Sequence, residues 1–293
     1  MLMLNALSVD VEDYFQVNAF AGRIRYEEWD LFPLRVENNT RRILDMFDEC
    51  AQKATFFILG WIAERCPLLV REIHRRGHEI ACHGYRHQLV YRLTAEQFRA
   101  DIAAAKGILE DICGERVLGY RAPSYSITNQ SLWALDVLAE EGFSYDSSIF
   151  PIRHDVYGIP GGERFPYDIA AGSGTLREFP LSTYPLGIGG WRTQLPVAGG
   201  GYLRLFPVSL VSRAIGAINS RERQPVIVYF HPWEIDPQQP RIRAGWRSSF
   251  RHYLNLGRME FKIRHLLKRF RFAPAREVLQ VSSEGRTTLK TGC

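Results

Sequence analysis

Short apolar runs alternate with helical periodicities along most of the chain. Leu4–Val9 predicts a buried strand, and Asn38–Ala51 a helix that turns Ile43, Leu44 and Phe47 inward. Ala54–Leu59 (ATFFIL) predicts a second strand, Leu68–Arg76 a helix, and His78–Cys82 a third strand. Thr94, with Gln97 three residues on, predicts a capping box that opens a helix running to about Ile112. Val117–Tyr120 predicts a short strand, Gln130–Glu141 a helix ended by Gly142, and Phe143–Tyr145 a further strand-like run. Val226–Phe230, β-branched and aromatic, predicts a strong strand. Such βα alternation predicts an α/β fold with a parallel sheet, open or closed into a barrel. In either form the loops at the carboxyl ends of the strands carry the chemistry.

The alternation breaks between Phe150 and Pro207, where Gly189-Gly190 and Gly199-Gly200-Gly201 stand in Gly- and Pro-rich sequence. This stretch is too long for a plain loop and predicts an irregular β insertion that shapes a substrate cleft. From Asn255 to Phe270, Leu256, Met259, Ile263, Leu266, Leu267 and Phe270 recur at helical spacing. They predict an amphipathic helix packed on the core with its basic face outward. The polar tail after about Ser282 is expected to be disordered.

Composition narrows the class. A chain of 293 residues can bury one sizeable core. No apolar run approaches the ~20 residues of a membrane span. The first ten residues carry no basic stretch and run into a strand pattern, so no secretory signal is expected. Five cysteines, odd in number and never in a C-x-x-C pair, indicate neither a disulfide framework nor a zinc ribbon, and a reducing cytoplasm is the expected location. The net charge of +5 is uneven, with eleven Lys or Arg between Arg241 and Arg276 against Glu260 alone. That asymmetry fits an anionic polymer, a membrane surface or a nucleic acid, and equally a solvated helix face compensated by acids elsewhere.

Five segments at the ends of strand-like runs carry candidate chemistry. His83-Gly84-Tyr85-Arg86-His87 follows His78–Cys82, and imidazoles four apart share a face if the backbone turns helically, so both reach one metal ion. Asp10-Val11-Glu12-Asp13 ends the first strand, and in extended chain Asp10 and Glu12 point to one side. A bend would bring in Asp13 instead. Acids leaving an apolar strand are costly to bury without a cation. Arg121-Ala122-Pro123 places an arginine able to hold an acid ionised and a proline that fixes the loop. Asp146-Ser147-Ser148 and His231-Pro232-Trp233-Glu234 complete the set. No G-x-S-x-G elbow appears, which excludes a serine hydrolase of that type.

In their order from Asp10 to His231, these motifs resemble the polysaccharide deacetylase family, the NodB-homology or carbohydrate esterase family 4 group. The resemblance covers residues 4 to 235. DVEDYF at Asp10–Phe15, GGGYLR at Gly199–Arg204, HPWEIDPQQPR at His231–Arg241 and FRHYLNL at Phe250–Leu256 are similar to a subfamily of exopolysaccharide deacetylases linked to PEP-CTERM/exosortase sorting, which carries an extra C-terminal segment. This implies a catalytic domain over 1–235, that segment over 236–281, and a tail over 282–293. The family's usual first motif has adjacent aspartates, whereas here the acids are separated.

The resemblance implies a distorted (β/α) barrel with fewer than eight complete units. It implies Zn²⁺, or Co²⁺, Ni²⁺ or Fe²⁺, held by His83, His87 and either Glu12 or Asp13. Asp10 would be the base, held ionised by Arg121. A backbone N–H near Ser124 or Tyr125 would meet the oxyanion, and His231 paired with Asp146 would be the acid. Tyr125, Trp191 and Trp233, with Pro123 behind them, would wall the acetyl methyl and the sugar. The implied substrate is an N-acetylated oligo- or polysaccharide, lipid-linked or free. No nucleic-acid partner is expected, and the basic C-terminal segment is the candidate for peripheral contact with the inner face of a membrane. Competing readings are an O-acetyl esterase, a cyclic-amide hydrolase, and a non-catalytic glycan- or nucleic-acid-binding protein.

Overall fold

The computed structural model describes residues 3–282 apart from 173, 189, 190 and 198. The tail expected to be disordered therefore lies, beyond Ser282, outside the described residues. Strands in chain order are β1 (Leu4–Val11), β2 (Thr55–Ile58), β3 (Glu79–Cys82), β4 (Gly119–Tyr120), β5 (Tyr145–Asp146), β6 (Tyr167–Ala171), β7 (Gly174–Glu178), β8 (Thr183–Ile188), β9 (Trp191–Pro196), β10 (Ile227–Phe230) and β11 (Arg271–Ala273). Helices are α1 (Val36–Glu49), α2 (Gly60–Arg65), α3 (Pro67–Arg75), α4 (Ala95–Cys113), α5 (Trp133–Glu140), α6 (Gly200–Leu205), α7 (Val208–Ala217), α8 (Trp246–Tyr253), α9 (Leu256–Arg269) and α10 (Ala275–Leu279).

The main sheet runs β10-β1-β2-β3-β4-β5-β7-β6, parallel except for the β6–β7 hairpin. Alternation of side chains along each strand separates two cores. Leu7, Val9, Phe56, Ile58, Ile80, Val228 and Phe230 face the helices. Ala6, Phe57, Ala81, Tyr145, Ile227 and Tyr229 face an inner core around which the sheet curls. This is the expected distorted (β/α) barrel, and among the described residues no strand pairing closes β6 onto β10. Instead Gly199 bridges to Tyr229 on the free edge of β10. Its φ is 139°, and a Cβ there would lie 1.8 Å from the Tyr229 carbonyl oxygen, so only glycine fits.

Local chemistry explains the boundaries. Thr94 and Gln97 form the expected capping box on α4, and Gly114 ends that helix in the left-handed region at φ 70°. The single helix predicted over 68–76 is preceded by a second one, because Pro67 starts α3 at its first turn and separates it from α2. The region predicted as irregular β contains the two hairpins β6–β7 and β8–β9, followed by α6. Helix α9 buries Leu256, Met259, Ile263, Leu266 and Leu267, as its periodicity predicts. Helix α8 was not foreseen, since His252 is the one residue it buries. Strand β11 pairs with the start of β1, and α10 closes the amino-terminal mouth of the barrel. There the Ala275 N–H donates to Thr55 Oγ1 at 2.7 Å, and Ala275 and Leu279 join the inner core.

One register pair inside the barrel is electrostatically costly. Asp146 on β5 stands opposite Glu178 on β7, and both are fully buried. Burial first, and then the Asp146 charge, push the Glu178 pKa well above the carboxylate range, so Glu178 keeps a proton in the folded chain. The unfolded chain loses that proton near 4.5, so the folded state binds the extra proton above that pH and stability falls as pH rises. Glu178→Gln puts an amide N–H donor in place of the carboxyl O–H and removes the titration. Its melting temperature is expected to exceed wild type at pH 8 and to vary less between pH 5 and 8, as calorimetry would show. Parallel pH curves for the two proteins would contradict this.

Candidate active site

The inner face of β1 delivers Ser8 and Asp10, because every second side chain points the same way, and Glu12 follows just past the strand's end, its N–H turned back to the Asp10 carbonyl at 3.1 Å. Arg121, at the end of β4, is fully buried and spans this row. Its Nη1 donates to Asp10 Oδ1 at 2.6 Å and to Ser8 Oγ at 2.8 Å. Its Nη2 donates to Ser147 Oγ and its Nε to the Ser147 carbonyl, while the Phe57 ring lies 4.1 Å beneath the guanidinium. Asp10 Oδ2 accepts the Tyr125 hydroxyl at 3.2 Å.

His83 and His87 do come together, but not through a helical turn. Their segment is a bend in which Gly84 (φ 73°) and His87 (φ 52°) are left-handed, and the rings lie 5.5 Å apart. Asp101 of α4 holds that bend, accepting the Tyr85 and Arg86 N–H groups on its two carboxylate oxygens. The ring nitrogens of His83 and His87 and a Glu12 oxygen lie within 4.8 Å of one another. His83 Nδ1 is 2.8 Å from the Arg121 carbonyl, which can only accept. Nδ1 therefore carries the proton and Nε2 keeps its lone pair. Burial pushes His83 down to about 4, leaving it neutral. Burial alone would raise Glu12, but the surrounding histidines outweigh it and hold the carboxyl well below its usual range. Glu12 Oε2 is buried, 2.6 Å from His87 Nε2, and has no donor aligned on it. A neutral imidazole lone pair and an orphaned carboxylate oxygen facing one point are a donor set that fits a divalent cation.

Asp13 takes no part in this cluster. Its Oδ1 accepts the Tyr14 N–H and its Oδ2 accepts the Arg35 and Val36 N–H groups, so its lone pairs tie the loop to the start of α1. Of the two candidate carboxylates, the geometry selects Glu12.

His231 follows β10 on the same inner face. Its Nε2 lies 3.5 Å from Glu12 Oε1 and 3.9 Å from Asp10 Oδ2. The expected pairing of His231 with Asp146 is corrected. Asp146 accepts the Ser148 hydroxyl and faces Glu178, whereas His231 Nδ1 meets Glu234 Oε2 at 2.9 Å. Burial alone would lower His231, but Glu234, Glu12 and Asp10 outweigh it and raise it to about 9.

The expected substrate walls are also redistributed. Trp233 has one face against His231 (5.1 Å) and the other against His252 (4.2 Å), and its indole N–H donates to Glu12 Oε1, so neither face is open to a sugar. Tyr125 and Pro123 are buried. The Tyr125 N–H already donates to the Ala122 carbonyl, which leaves Ser124 of the two expected oxyanion donors. Trp191 opens β9, and its side chain lies outside the described residues. A cavity of about 230 Å³ next to His87 was missed by the sequence reading. Gln16, Asn18, Arg25, Tyr26 and Gln88 line it.

Comparison with known proteins finds similarity over parts of the chain. Residues 26–143 match the polysaccharide deacetylase family profile, and residues 147–280 match a domain of unknown function, DUF3473. In residues 26–143 the chain is thus similar to polysaccharide deacetylases. The chain is 35% identical over 136 residues to a peptidoglycan-N-acetylglucosamine deacetylase of Bacillus cereus, covering 42% of this chain and 48% of that one. It is 33% identical over 130 residues to a peptidoglycan deacetylase-like protein of Gibberella zeae, covering 44% and 37%. The chain thus spans less than half the length of these curated relatives. In fold, it resembles a Mycobacterium smegmatis protein assigned as a polysaccharide deacetylase (TM-score 0.56, 21% identity, 98% and 97% covered) and PuuE allantoinase (0.61, 16%, 94% and 89%).

Two partners of the site's side chains escaped the sequence reading. Glu234 stands three residues after His231, a spacing that closes a capping box at a helical start and could have been read from the H-x-x-E pattern. Arg204 donates its Nε to Glu234 Oε1 at 2.6 Å from thirty positions away, and no local pattern announces that.

Proposed function

We propose that the chain is a metal-dependent N-deacetylase that removes acetyl groups from N-acetylated sugars of a bacterial exopolysaccharide or its precursor. The observation that carries this reading is the meeting of Glu12, His83 and His87 around one point, with Asp10 and His231 beside it. A bound divalent ion, zinc or else cobalt, nickel or iron, would lower the pKa of a water and polarise the acetamide carbonyl. Asp10, oriented by Arg121 and Tyr125, takes the proton as water attacks. The Ser124 N–H faces the developing oxyanion. His231 gives a proton to the sugar nitrogen as the C–N bond breaks, since an unprotonated amine is a poor leaving group. The products are acetate and a free amine. The sugar enters through the cavity beside His87, where Gln16, Asn18 and Gln88 offer hydrogen bonds and Tyr26 an apolar face.

Membrane contact belongs to the same proposal. Part of the basic stretch is compensated within the fold, since Arg264 pairs with Glu49 and Glu260, and Arg276 with Glu115. Arg241, Arg243, Arg247 and Arg251 stay exposed beside Trp246 and Phe250, which are 75% and 59% exposed. Basic residues around exposed aromatic side chains suit an anionic lipid surface. Among the described residues no helix is long and apolar enough to cross a membrane.

His83→Ala is expected to lose both bound metal and acetate release, and Asp10→Asn to keep metal while turnover falls about 10²–10⁴-fold. Metal analysis with acetate and primary amine assays on N-acetylglucosamine oligosaccharides checks both. Acetate without equimolar amine would mark an esterase, and full activity of metal-free His83→Ala would end the proposal. The protein should float with vesicles only when they contain anionic lipid; equal flotation with neutral vesicles, or none with either, would remove the membrane contact.

A further inference from the structure

Residues 200–280 carry a chain of hydrogen bonds that reaches the side chains of the site. Arg204, at the end of α6, is 4% exposed. Its Nη1 donates to the carbonyls of Arg251, His252 and Leu254, where α8 ends and its carbonyls lack helical partners. Its Nε holds Glu234 Oε1, and Glu234 Oε2 holds both the backbone N–H and the Nδ1 of His231. Lys262 of α9 in turn donates to the carbonyls of Leu203, Arg204 and Phe206, closing the end of α6. Each helix end is thus capped by a cation from the other part of the segment.

A second path starts from α8. The His252 ring lies 4.2 Å from Trp233 at an interplanar angle of 14°. The Gln239 amide nitrogen is committed to the Trp233 and Asp236 carbonyls, so its oxygen accepts from His252 Nε2 at 2.7 Å. His252 fixes the plane of Trp233, and Trp233 Nε1 donates to Glu12 Oε1 at 3.1 Å. That leaves Glu12 Oε2 to face His83 and His87.

We infer that residues 200–280 form a positioning frame for the active site. Arg204 orients the acid His231 through Glu234, and the His252–Trp233 stack orients the carboxylate of Glu12. The inference rests on the proposed function for the roles of His231 and Glu12. It assigns Arg204, His252 and Lys262, which lie outside the matched stretch 26–143, a task in holding the side chains of the site. Partners of this kind shift metal affinity or activity by roughly 10–100-fold when removed.

The test uses the full chain loaded with zinc and two independent readouts. Arg204→Met and Glu234→Gln are expected to lower kcat for acetate release at least about tenfold with KM little changed, and Arg204→Lys to recover part of that loss. Trp233→Phe, which keeps the ring and drops the N–H, is expected to bind zinc about tenfold more weakly in chelator competition. Arg264→Gln, on the outer face of α9, serves as the control and is expected to change neither readout. If Arg204→Met does not fold, Glu234→Gln and Trp233→Phe carry the test. A folded Glu234→Gln with wild-type kcat, or a Trp233→Phe with wild-type zinc affinity, overturns the inference. Absence of acetate release from the wild type would defeat the proposed activity and leave the zinc readout still decisive.

Discussion

A guanidinium with no access to solvent sits at the centre of this molecule. Arg121 donates to Ser8 and Asp10 on β1 and to Ser147 beyond β5, and its own carbonyl accepts a hydrogen bond from His83 Nδ1–H. Placing that charge inside the barrel costs several kcal/mol, and the Asp10 carboxylate, the serine oxygens and the Phe57 face offset the cost. Removing either member of such a buried pair typically costs about 3–5 kcal/mol, because the other is left unpaired. The site and the fold therefore share this interaction. The strand ends that carry Asp10, His83 and Ser147 are held in register by the group that also orients Asp10 and sets the tautomer of His83.

The remaining acids divide by what their lone pairs do. Asp13 spends its oxygens on three backbone N–H groups and fastens the loop to α1. Asp101 does the same for the bend between the two histidines. Glu234 joins Arg204 to His231. Glu12 alone among these keeps a buried oxygen with no donor aligned on it, facing two imidazoles. Backbone strain is present here too, since His87, Ser124 and Tyr125 all take left-handed conformations, each costing on the order of 1 kcal/mol.

Much of the frame was legible because it is local. Strand alternation put Ser8 and Asp10 on one side, capping chemistry placed the start of α4, and helical spacing gave the inward face of α9. The misreadings came from long-range pairing. Asp146 follows its strand as a partner for His231 would, but its register places it against Glu178, and Glu234 occupies the position it would have held. Trp233 reads as an open aromatic wall until His252, nineteen residues on, covers its outer face. Helix α8 has too little apolar periodicity to be predicted, since it serves the site through one buried ring and three carbonyls.

The central claim is that Glu12, His83 and His87 together make one metal site and that Asp13 stands outside it. Anomalous diffraction at the zinc absorption edge, from crystals grown with zinc, addresses this directly. A single strong peak roughly 2.0–2.2 Å from Glu12 Oε2 and from a ring nitrogen of each of His83 and His87 is the expected result. A peak coordinated by Asp13, or no ordered zinc between the two histidines, would contradict the account.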